Sequence, residues 1–125
     1  MNKHKPIRLG RGFTPVYIYV ALTAKAWRKL TKGVKDCPDF PSELHASCTD
    51  FAPIDGQAPF AIITLNKRYI KHGIVVGSLV AHEAVHCKQF CERMMRTTFD
   101  IETEAYYIQH IVQDVMKAIK PFRKK

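Results

Sequence analysis

Residues 74–94 read IVVGSLVAHEAVHCKQFCERM. The run holds no proline and one glycine, Gly77, near its start. At 3.6 residues per turn Val75, Val76, Leu79, His86 and Phe90 gather on one side, so the stretch predicts a long buried helix. Inside it stands His82-Glu83-Ala84-Val85-His86. Spacing i, i+4 places both imidazoles on one helix face, one turn apart. Their nitrogens can then converge on one tetrahedral zinc ion. Glu83 lies beside that face, where a carboxylate can take a proton from a metal-bound water. The plain alternative is a pair of histidines on an ordinary core helix.

Upstream, Phe60–Leu65 (FAIITL) has strand composition, and the basic NKRYIKHG connects it to the helix. Residues 36–59 hold four of the seven prolines and a run of acids, and read as a long irregular segment. Before that, Thr23 caps an expected helix over Ala24–Thr31, with Trp27 and Leu30 on one face and Gly33 as its stop. Val16–Val20 alternates as a strand with Val16, Ile18 and Val20 inward. Residues 1–14 read as a loosely held basic arm. Downstream, Thr97 with Asp100 fits a capping box. A last helix then runs from about Phe99 to Ile119 on the stripe Ile101, Ala105, Ile108, Val112, Val115 and Ile119, and Pro121 ends it. The order strand, helix, strand, helix, helix predicts one small α+β domain over residues 1–125. A short mixed sheet packs on the histidine helix and on a C-terminal helix that carries glutamates, and residues 60–120 form the core of the site.

A catalytic zinc requires a third protein ligand and an open position. Gln89 and Glu92 stand where the metzincin pattern demands Gly and His, which excludes that class. Glu102 and Glu104 lie in the first two turns of the last helix, and a helical hairpin would carry them back toward the zinc helix.

The segments FAIITLN, SLVAHEAVH and IETEAYYIQ, over roughly residues 60–110, resemble the gluzincin branch of the zincin metallopeptidases. The very small members, the minigluzincins, are the nearest in pattern. The resemblance implies a hydrolase, a zinc metalloprotease with one zinc ion per chain, ligated by His82, His86 and Glu102, with Glu83 as general base. It implies that a strand like Phe60–Leu65 edges the cleft and pairs with an extended peptide or protein substrate. Glu102-Thr103-Glu104-Ala105 matches the family's E-x-x-A motif, while Tyr106 stands where many relatives carry an Asp or Asn. The helical wheel leaves an alternative open. Glu104 sits about 60° from the centre of the apolar stripe and Glu102 about 100°. Tyr106, Tyr107 and His110 follow as candidate transition-state stabilisers.

Composition frames these readings. Of 125 residues, 46% are hydrophobic and 25% charged, which excludes a disordered or collagen-like chain. No apolar run reaches membrane-spanning length. Val16–Ala24 is short, holds two tyrosines and follows Pro15, so it reads as a strand rather than a signal peptide, and the expected location is cytoplasmic. The four cysteines are then expected as reduced thiols. Cys37, His45 and Cys48 lack the close C-x-x-C pair of a convincing structural zinc site. The net charge of +9 sits in blocks. Residues 1–35 hold nine Lys or Arg and no acid, and the last nine residues are again basic without an acid. This predicts electrostatic contact with nucleic acid or another anionic surface. Two other functions stay open beside the peptidase: a catalytically silent zinc-binding zincin-like protein, and a basic nucleic-acid-binding module.

Overall fold

FAIITL is apolar on both of its alternating faces, and a strand of that kind must be covered on both sides. The computed structural model, which describes residues 2–10, 14–53 and 56–123, places it at the centre of a four-stranded sheet. The strands are β1 (Ile7–Arg8), β2 (Tyr17–Ala21), β3 (Ala46–Phe51) and β4 (Phe60–Leu65), in the spatial order β1-β2-β4-β3. β2 and β4 run parallel, with Tyr17 opposite Phe60 and Ala21 opposite Thr64. β1 and β3 are antiparallel edges. Three helices complete the domain: α1 (Ala24–Thr31), α2 (Gly73–Met95) and α3 (Ile101–Arg123). No helix among the described residues is long and apolar enough to cross a membrane.

One sheet face carries Val16, Ile18, Val20, Ala61, Ile63 and Leu65 against α2 and α3. The other carries Ala21 and Ile62 against Ala26 and Trp27 of α1. The Trp27 indole N–H donates to the Pro38 carbonyl at 3.1 Å and ties down the segment that follows α1. Thr23 caps α1 as expected: its hydroxyl accepts from Ala26 N–H at 3.1 Å. The helix stops before Gly33, whose φ of +84° suits a residue without a Cβ.

Several expectations are corrected. The N-terminal arm is not loose. Leu9 N–H donates to Ile18 at 2.9 Å, and Leu9 is buried. Residues 36–59 are not irregular throughout, because they contain β3. Phe60–Leu65 is an inner strand, not an edge, since β2 and β3 pair with its two sides. On α2 the buried stripe is Val76, Val80, Glu83, Ala84, Cys87, Phe90 and Cys91, while Val75 and His86 are exposed. The sheet and α3 together cover a sector of α2 rotated away from the histidines. On α3 the buried line is Tyr107, Ile111, Val115 and Ile119, with Ile101 and Ala105 exposed. Asp100, not Thr97, caps α3: its carboxylate accepts from Thr103 N–H at 2.7 Å. The helix continues past Pro121 to Arg123, whose Nε donates to the Ile70 carbonyl at 3.0 Å. That bond sets α2 and α3 as an antiparallel hairpin.

Candidate metal centre

α2 presents His82 and His86 from successive turns, both exposed. Their Nε2 atoms stand 3.3 Å apart. Two nitrogens that each bind a tetrahedral ion at about 2.0–2.1 Å are separated by about 3.3 Å, so the pair is spaced for chelation. Gln89, one turn beyond, lies with Oε1 2.9 Å from His86 Nδ1. An amide oxygen only accepts, so it holds the proton on Nδ1 and leaves the Nε2 lone pair free for a metal.

Glu83 points to the core side of the same turn and is 5% exposed. Burial pushes its carboxyl above the usual carboxylate range, and the charges of His82 and His86 pull the other way. Its carboxylate and the two imidazoles lie within 4.8 Å of one another, and among the described residues this is the group of three that can hold a metal ion. The donors fit a borderline divalent cation: two imidazoles and one carboxylate.

β3 runs alongside α2. Cys48 Sγ lies 3.6 Å from Cys87 Sγ, next to His86, and the Asp50 carboxylate accepts from Arg93 at 2.8 Å. The side of β3 away from β4 has no strand neighbour among the described residues. An edge strand therefore lies beside the helix that carries the two histidines.

The fold does not bring Glu102 or Glu104 to the histidine pair. Glu104 accepts from Lys88 Nζ at 2.9 Å, and Lys88 also pairs with Glu92 at 3.0 Å. Lys88 follows His86 by two residues, so it projects about 200° away around α2. The start of α3 thus packs on the side of α2 opposite the histidines. Glu102 and Tyr106 are each two residues from Glu104, so both point away from α2 by the same rotation, and both are exposed. His110 pairs with Asp114 at 3.2 Å on its own helix, and Tyr107 is buried in the core against Phe99. None of the candidates on α3 stands at the metal group.

The cysteines are all free thiols. The neighbouring Cys48 and burial push the Cys87 thiol well up, and its side chain packs in the core as a small hydrophobe. Two participants escaped the sequence reading. Gln89 was visible at i+3 from His86, though a glutamine there is common on any helix surface. β3 (ASCTDF) carries too few apolar residues to announce a strand. Comparison of the chain with protein-family models, with curated proteins and with solved structures finds no match. The chain is a small α+β domain whose second helix carries a group able to hold a metal ion.

Proposed function

We propose that this protein is a zinc-dependent peptidase, with His82 and His86 as two of its metal ligands and Glu83 as general base, the third ligand being a group that joins them when the metal binds. The 3.3 Å separation of the two Nε2 atoms beside a buried glutamate carries the reading. The likeness of SLVAHEAVH to a gluzincin zinc helix supports it, as does the nearby edge strand. His82 and His86 would hold the zinc, which would supply Lewis-acid activation of a water and of the scissile carbonyl. Glu83 would take a proton from the attacking water and deliver it to the leaving amine. The outer edge of β3, which has no strand neighbour among the described residues, offers its backbone to an extended peptide, the role the resemblance gives to Phe60–Leu65.

A second reading, metal binding without turnover, is favoured by one observation. With Glu102 and Glu104 directed away, Glu83 is the carboxylate left to complete the ligand set, and a ligand cannot serve as a free base. Metal content by elemental analysis, with assays on peptide libraries, separates the two in wild type, His82→Ala, Glu83→Gln, Glu102→Ala and Glu104→Ala. The peptidase reading expects zinc to stay and cleavage to vanish in Glu83→Gln. Loss of zinc in that variant makes Glu83 a ligand and supports the silent site. Loss in Glu102→Ala restores the family's ligand set. Wild type that takes up no metal ends both readings.

A further inference from the structure

Residues from the basic stretches near the two ends of the sequence come together at one place in the fold. Lys3 and His4 dock on the start of α1. There the Thr23 hydroxyl donates to the Lys3 carbonyl at 3.5 Å and lies 3.1 Å from His4 Nδ1. β2 and β4 run parallel and end side by side at Ala21 and Thr64, so the start of α1, where Lys3 docks, lies next to the connection between β4 and α2 that carries Lys67 and Lys71. Lys25 and Lys29 stand on α1 just past the Thr23 cap on which His4 docks. Arg123, at the far end of α3, closes on the same connection through Ile70. The five lysines are exposed. Ion pairs among the described residues lie elsewhere, on Lys88, Arg93 and His110. The repulsion is felt locally: Lys67 is pushed down first by Lys3, and His4 by desolvation and then by the lysines around it.

Exposed cations gathered from several segments raise the local positive potential, and an anion that joins them lowers it. We propose that Lys3, Lys25, Lys29, Lys67, Lys71 and Arg123 form a binding surface for the phosphate backbone of nucleic acid. The anion is a polymer because the cations come from four chain segments and would each meet a separate phosphate. Nucleic acid fits better than a membrane. The large exposed apolar side chains beside the patch are Ile74 and Val75 in the first turn of α2, and two adjacent residues do not make the broad apolar face by which a helix lies in lipid. Contact is with phosphates and not with base edges, since lysine recognises phosphate as a point charge. The surface uses none of the residues of the histidine group, so it stands or falls independently of the peptidase reading.

The test is fluorescence anisotropy with a labelled mixed-sequence duplex of roughly 20 base pairs, titrated between about 50 and about 300 mM KCl. Each phosphate contact adds about −0.9 to the slope of log K against log salt, so four to five contacts give a slope of about −4. Lys67→Glu/Lys71→Glu should weaken binding by about tenfold or more and flatten the slope by about 2. The control Lys35→Glu/Arg96→Glu carries the same change in net charge at exposed positions outside the patch, and it should bind close to wild type. Circular dichroism melting verifies that both variants fold. Equal loss in the two variants would show that net charge alone drives binding and would overturn the site. So would absence of DNA binding in the wild type, or binding to phosphatidylserine-containing vesicles with none to DNA.

Discussion

His86 is held by chemistry on both sides of its ring. Nε2 faces His82 at 3.3 Å, and Nδ1 is tied to Gln89 at 2.9 Å. The glutamine fixes both tautomer and ring orientation, a role that outer partners of metal-binding histidines commonly fill. Gln89→Ala should therefore weaken zinc or cobalt affinity by about 10–100-fold while leaving the helix intact, measured by competition with a chromogenic chelator. Unchanged affinity would mean the amide is a surface contact only. The i, i+4 histidines were legible because a helix converts spacing directly into proximity. The fate of Glu104 was not, because Lys88, which holds it, lies on another helix.

At the scale of elements, the α2–α3 hairpin turns on Glu92. Its carboxylate accepts from Phe99 N–H at 2.7 Å and pairs with Lys88 at 3.0 Å. The Phe99 bond and then the lysine pull its pKa below the ordinary glutamate value. A depressed carboxylate stabilises the fold above its unfolded pKa, and that contribution disappears as pH falls through the folded value. Glu92→Gln should consequently lower thermal stability at pH 7 and make it less sensitive to acid below about pH 4.3, the ordinary glutamate pKa. Melting curves across pH check this; parallel curves for the two proteins would remove Glu92 from the account. Thr23→Ala tests the other well-read element. Loss of this cap should cost about 1 kcal/mol, seen as a lower melting temperature. α1 matches its expected bounds because cap, apolar face and glycine stop all agree. The apolar stripes of α2 and α3 were legible in part: Val76, Phe90, Val115 and Ile119 are buried and Leu79, Ile108 and Val112 pack on the core, while Val75, His86, Ile101 and Ala105 face outward, since both helices have more apolar positions than they bury.

At the scale of the whole molecule, β4 is the axis of the domain. Ile62 and Ile63 project to opposite faces, one toward α1 and the other toward α2 and α3, and both are fully buried. Ile63→Ala should cost about 2–5 kcal/mol. That is a large share of the roughly 5–15 kcal/mol that holds a typical domain together. Urea unfolding of the metal-free protein measures it, and a loss below about 1 kcal/mol would place the core elsewhere.

The sequence by itself determined an α+β chain, the main strands, the first helix, and the histidines with their neighbouring glutamate on one helix. Each of these follows from local periodicity, capping or spacing, which act over a few residues. Only the tertiary structure decided that Phe60–Leu65 lies inside the sheet and that Ala46–Phe51 forms the edge beside α2. It alone turned the glutamates of α3 away from the histidine pair and gathered Lys3, Lys67 and Arg123 at one end of the fold. Those outcomes depend on which faces of distant elements pack together, and packing is settled by apolar surface buried across the whole chain rather than by any one segment.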